Sequence, residues 1–181
     1  MLIGLTIFMT VLVLACPFAL DRLEHEDSLG RVAKMLLFTF VALILFLTLG
    51  IRSFDGNRVV NFRLFQCYRG LLNQFLYNWK TYKFHYNAEQ FKIISTGICN
   101  IVVNVVLFMP LGYLLPRAIP KQRYNCRWIF LIGIAFSLAI ETLQLLTHRG
   151  CFDLDDLLNN SIGSLLGYVL GKHTTTSQKQ T

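Results

Sequence analysis

The sequence predicts an all-α fold, a polytopic transmembrane helical bundle of about five spans with one interfacial amphipathic helix. Three observations lead there. Hydrophobic residues make up 54% and charged residues 15% of the 181 residues, where a soluble domain carries about a quarter charged. Several uncharged apolar runs are long enough for a ~30 Å hydrocarbon core. Finally, no alternating ten-residue segments of a membrane β-barrel occur, so helices are left as the way to satisfy the backbone in lipid.

Taken in order, the runs are Leu2–Leu20, Met35–Ile51, Ile93–Leu115, Trp128–Thr147 and Leu154–Gly171. Asp21 is the first charged residue, and Val13-Leu14-Ala15-Cys16 only loosely resembles a lipoprotein cleavage site. Without a basic n-region, the first run reads as a retained span. Lys34 and Arg52 flank the second run and can snorkel to the interfaces. Residues 52–92 hold 11 aromatic and seven basic side chains. Within them Tyr68, Leu71, Leu72, Phe75, Leu76 and Trp79 recur at helical spacing, while Arg69, Asn73, Gln74 and Asn78 fall elsewhere on the wheel, as in a helix lying in the interface or packing on the bundle. The expected organisation is a two-span hairpin (1–51), an extracytoplasmic aromatic and basic interfacial segment (52–92), a three-span core (93–171) and a disordered cytoplasmic tail (172–181).

A net charge of +7 raises the question of nucleic acid, but the basic residues sit between hydrophobic runs, where lipid head groups explain them better. Nucleic acid is therefore excluded as a partner, and membrane lipids are expected. The five cysteines, Cys16, Cys67, Cys99, Cys126 and Cys151, lack C-x-x-C spacing and imply neither a zinc site nor a disulfide framework. Five spans put the termini on opposite sides. Basic totals of eight and nine on the two sides do not orient the chain, but the nine lie in shorter segments, which puts the N-terminus outside and the C-terminus in the cytoplasm.

Polar side chains recur at helical spacing inside the runs. Thr96, Asn100 and Asn104 form one stripe, and Ser137, Glu141, Gln144 and His148 another. Glu141 lies about 9 Å below the end of its span, where a carboxylate is costly and needs a partner or a wet cavity. The segment Arg149-Gly150-Cys151-Phe152-Asp153-Leu154-Asp155-Asp156 then leads into the last run, whose Gly163, Gly167 and Gly171 allow a close helix approach. Asp153 is either an N-cap or part of a site. Asp155 and Asp156 are either paired with Arg149 or another basic loop residue, or also part of that site. Asn100, Asn104 and Gln144 suit interhelical hydrogen bonds. Connectivity gathers these groups near the outer leaflet.

The series Asn104-x-x-x-Phe108-Met109-Pro110-Leu111-Gly112, Glu141-x-x-Gln144 and Asp153-x-Asp155-Asp156-x-x-x-Asn160-x-x-Gly163 closely resembles the VanZ-like family of bacterial membrane proteins. Asn61-Phe62-Arg63-Leu64-Phe65 looks like that family's Asn-x-x-Pro-Phe element, with Leu64 in place of proline, and Met1 to Leu20 looks like an added helix. The resemblance implies Asn61, Phe65, Asn104, Phe108, Pro110, Gly112, Glu141, Gln144, Asp153, Asp156, Asn160 and Gly163 as motif residues. It also implies a link to resistance against teicoplanin, a lipid-tailed glycopeptide, without implying a known reaction.

The leading expectation is an outer-leaflet polar site, made by Asn104, Glu141, Gln144, Arg149, Asp153, Asp156 and Asn160, that engages a cell-wall precursor, a lipid or the antibiotic. The alternative is an intramembrane hydrolase or transferase on a lipid-linked substrate. In it Glu141 is the catalytic base and Asp153, Asp155 and Asp156 hold a divalent cation, Mg²⁺ or Ca²⁺. A small transporter is the weakest reading, since no inverted repeat is visible. Whether a bond is broken, and whether the chain forms a homo-oligomer, stay open. The orientation predicts that a membrane-impermeant thiol reagent labels single-cysteine variants at Cys67 and Cys151 in intact cells. Labelling of Cys126 alone reverses it.

Overall fold

A computed structural model of the chain describes residues 26–47, 60–82, 88–119, 124–148, 150 and 152–178. The elements are α1 (Glu26–Leu45), β1 (Val60–Asn61), α2 (Gln66–Tyr82), α3 (Ala88–Ala118), α4 (Cys126–Leu146), β2 (Phe152–Asp153) and α5 (Leu154–Gln178). The all-α class holds, with one two-residue parallel strand pair that the sequence did not announce: Val60 lies opposite Phe152 and Asn61 opposite Asp153. Among the described residues two helical stretches, Phe91–Ala118 and Cys126–Leu146, are long and apolar enough to cross a membrane, which suggests membrane association. The expected span Leu2–Leu20 lies outside the described residues.

Helix ends depart from the apolar windows for local reasons. α1 begins at Glu26 rather than near Met35, because Arg31 and Lys34 end an uncharged window yet are good helix formers. α4 starts where the Asn125 side chain accepts the Trp128 N–H at 3.0 Å, an N-cap. It ends at Leu146 with Thr147 as C-cap, and the next residue, His148, has a φ of 54°, the left-handed conformation usual just past a helix C-cap. α5 continues to Gln178, which corrects the expectation of a disordered tail from residue 172. No proline follows Gly171, and extending a formed helix is far cheaper than nucleating one.

α3 is the central element, packed on α5 and α1, and α5 also packs on α4. Phe40 and Ile44 of α1, Leu107, Phe108 and Leu111 of α3 and Ile140 of α4 form the main apolar cluster. A second cluster joins Tyr113 and Leu114 to Val32, Leu36 and Leu37. Contact between α3 and α5 is backbone to backbone. A Cβ on Gly163 would stand 2.1 Å from the Val105 carbonyl oxygen, one on Gly167 1.8 Å from that of Met109, and one on Gly112 1.7 Å from that of Ser164. The helix that the glycine repeat admits is therefore α3 of the same chain. At the distal end Arg117 ties the two together, donating to the carbonyls of Tyr113 at 3.0 Å and Gly171 at 3.2 Å while lying 3.8 Å over the Tyr113 ring.

α2 meets the bundle along Cys67, Leu71, Gln74 and Asn78, which are half-buried or buried, and Leu71 lies against Gly97 of α3. Most of the stripe read from the sequence faces away: Leu72, Phe75, Leu76 and Trp79 are all exposed. Asn78, on the wheel's polar side, is instead fully buried, and neither atom of its side-chain amide has a hydrogen-bond partner.

The glycine contacts predict opposite outcomes for two alanine substitutions. Gly167→Ala places a methyl group on a carbonyl that cannot retreat and should cost about 3 kcal/mol or more, read as a fall in Tm. Gly70→Ala meets nothing within 4 Å and should stabilise α2 by roughly 0.5–1 kcal/mol. Equal shifts at the two positions contradict the close α3–α5 approach.

Candidate functional site

The polar groups converge where β1 meets the head of α5. Asp153 precedes the first residue of α5, and its Oδ1 accepts the Asp155 N–H at 2.9 Å, which makes it the helix N-cap. Its other oxygen accepts the Asn61 amide at 3.2 Å, and its backbone N–H donates to Glu141 Oε2 at 3.1 Å. Cap and cross-link are thus the same residue. Asn61 Oδ1 in turn accepts the Arg63 N–H, shaping the turn into α2.

Asp155, 2% exposed, reaches in another direction. Its two oxygens accept the backbone N–H groups of Phe65 and, at 2.8 Å, Cys67. Those are unsatisfied donors at the N-terminus of α2, a helix with no acidic residue in its own first turn, so a carboxylate 88 residues along the chain supplies the missing negative charge. Phe65 adopts a φ of 63° to present its N–H. The turn forms with Leu64 where the resembled family has proline. One helical turn beyond Asp155, the Asn159 side-chain oxygen accepts the Tyr68 hydroxyl.

Asp156 and Asn160 occupy the neighbouring face of α5 and serve α3 and α4. Asn104 donates its amide to Asp156, and Asn160 donates to the Ser137 hydroxyl at 2.8 Å. Ser137, Glu141 and Gln144 form one buried stripe of α4, as their spacing required. Asn100, from the same sequence stripe as Asn104, is exposed. Asn160 Oδ1 is buried without a partner. Arg149 and Cys151 lie outside the described residues.

The structure therefore brings together six of the seven expected ligand-binding residues: Asn104 of α3, Glu141 and Gln144 of α4, Asp153 of β2, and Asp156 and Asn160 of α5. It separates Asp155 from them and turns it toward α2. Among the described residues no group of three or more His, Cys, Asp and Glu side chains is arranged to hold a metal ion, and all four oxygens of Asp153 and Asp155 accept hydrogen bonds from the protein. The sequence reading missed Asn159 and left Tyr68 on a packing stripe. The signal was present in the i, i+4 pairs Asp155/Asn159 and Asp156/Asn160, which mark two adjoining helix faces. Burial, then the nearby charge of Asp155, pushes the Cys67 thiol and the Tyr68 hydroxyl above their usual pKa values.

A family model described as VanZ/LLP1 matches residues 34–174. No curated protein and no solved structure matches the chain.

Asp155→Ala should release the first turn of α2, costing about 1–3 kcal/mol locally. Faster amide exchange is expected at residues 65–69 with α3 and α5 unchanged. Removing the carboxylate also lowers the thiol pKa, so the thiolate fraction of Cys67 at a fixed mildly alkaline pH rises, and its maleimide reaction should speed up while that of Cys126 does not. A uniform rise in exchange across all helices refutes the local role.

Proposed function

Because the chain belongs to the VanZ/LLP1 family, we propose that it is an integral membrane protein of the bacterial cell that confers or modulates resistance to teicoplanin-type glycopeptides. Its outer-leaflet polar site engages a cell-wall precursor, a lipid or the antibiotic. In this reading the two long apolar helices are spans, joined by the apolar part of α1 and the first part of α5. The N-terminus is outside, the C-terminus is cytoplasmic, and α2 lies in the outer interface.

One observation carries it. α2 is fixed by Asp155 at its first turn and still leaves Leu72, Phe75, Leu76 and Trp79 exposed on the side turned from the bundle, while Glu141, Gln144 and Asn160 lie inside it. A ligand with a hydrogen-bonding head and an apolar tail matches such a pair of surfaces. The head would meet Glu141 and the amides of Asn104, Gln144 and Asn160, and the tail would meet the α2 face.

Expression in a susceptible bacterium is expected to raise the tolerated teicoplanin concentration several-fold while leaving vancomycin, which has no lipid tail, near its baseline. Phe75→Ser with Trp79→Ser should remove protection at normal membrane levels, and so should Glu141→Gln, which keeps shape and loses charge. Equal protection against both drugs, or full protection from the double variant, overturns the proposal. Retained protection in Glu141→Gln combined with lost expression in Glu141→Ala assigns Glu141 to helix packing.

A further inference from the structure

The segment 60–82 carries three basic residues, Arg63, Arg69 and Lys80, all exposed, and no acidic one. The carboxylate nearest its helix N-terminus, Asp155, is buried and has both oxygens engaged by backbone N–H groups. Around α2 the residues divide into three sectors. Cys67, Leu71, Gln74 and Asn78 face the bundle. Leu72, Phe75, Leu76 and Trp79, between 44% and 56% exposed, form the second sector. Arg69, Asn73 and Lys80 follow on its far flank, roughly 80° round the axis from the centre of the apolar sector. Ahead of the helix, Phe62 and Leu64, 71% and 45% exposed, extend the apolar surface on either side of Arg63.

A helix lying with its second sector in the acyl region holds that flank at the depth of the phosphates, where long basic stems reach them. Spacing selects among anionic lipids. Arg69 and Lys80 are 11 residues apart, about 16 Å along the axis at ~1.5 Å per residue, too far to share one head group. A spaced row of cations suits a leaflet of separate phosphates rather than a single diphosphate.

Resting on the proposed interfacial position of α2, we infer that the 60–82 segment is a docking surface for anionic phospholipid, with the acyl chains against Leu72, Phe75, Leu76 and Trp79 and the phosphates along Arg63, Arg69 and Lys80. The anionic lipid gathers around α2 in preference to zwitterionic lipid, and salt weakens the preference.

The test uses the full chain in nanodiscs. Trp128→Phe leaves Trp79 as the one tryptophan of the two, and a Trp79→Phe protein reporting from Trp128 serves as control. Brominated phosphatidylglycerol present as a minor component should quench Trp79 well beyond its mole fraction, and brominated phosphatidylcholine should not. Local enrichment of about fivefold is expected for each basic residue that reaches a phosphate. The Arg63→Gln, Arg69→Gln, Lys80→Gln variant, confirmed folded by its helical circular dichroism, should bring quenching back to the mole fraction. Quenching by both lipids in proportion to their amounts overturns the inference and leaves the interfacial position intact. Quenching by neither lipid overturns the interfacial position as well. Displacement of phosphatidylglycerol by a stoichiometric amount of polyprenyl diphosphate makes the occupant a lipid-linked precursor and also overturns the inference.

Discussion

The bare-backbone contact between α3 and α5 sets the distances on which the other interactions depend. With no side chain at Gly112, Gly163 or Gly167, the carbonyls of Val105, Met109 and Ser164 occupy the positions that Cβ atoms would take. Weak Cα–H···O contacts become available at that range. Only at such a separation does a side chain as short as Asn104 reach Asp156. α4 fits the same way, its Gly133 lying against Ser161 and Ser164, which brings Ser137 to Asn160 and Glu141 to the head of α5. The polar layer is thus a product of the helix spacing beneath it.

Carboxylates dominate that layer, and the donors seen around them are backbone N–H groups and side-chain amides. A buried charge needs charge-assisted hydrogen bonds to be tolerated, and both Asp153 and Asp155 receive them on each oxygen. Helix N-termini offer such donors without a counter-cation. Two helices begin within a few residues of these aspartates, so the same pair of side chains starts α5 and holds α2 against it. The adjoining faces then divide the work: Asp155 and Asn159 organise the aromatic segment, while Asp156 and Asn160 organise the bundle interior.

Much of this was legible in the residues. Uncharged apolar windows located α3, α4 and the first part of α5, the spacing of Ser137, Glu141 and Gln144 put them on one buried stripe, and the glycine repeat announced a close neighbour without naming it. The N-cap role of Asp153 was legible in its type and position. What stayed hidden depends on contacts distant in sequence. Nothing local to Gln66 indicates that an aspartate from α5 will cap the helix it begins, and Asn78, polar on the wheel, is buried because tertiary packing sets which side of α2 meets α3. Windows defined by lack of charge also cut α1 short at Lys34 and stopped α5 at Gly171, where helix continuity needs neither apolarity nor burial.

The pairing of Val60 and Asn61 with Phe152 and Asp153 has a consequence for biosynthesis. Its partners are 92 residues apart, a separation at which contact formation is slow and entropically costly. A chain emerging from the ribosome has completed α2 long before Asp155 exists to hold it. During that interval the exposed leucines, phenylalanine and tryptophan of α2 need an environment of their own. The polar layer therefore closes as a late step of assembly, and a chain interrupted before residue 153 contains every aromatic side chain of α2 but neither Asp155 nor Asn159, which hold its first turn.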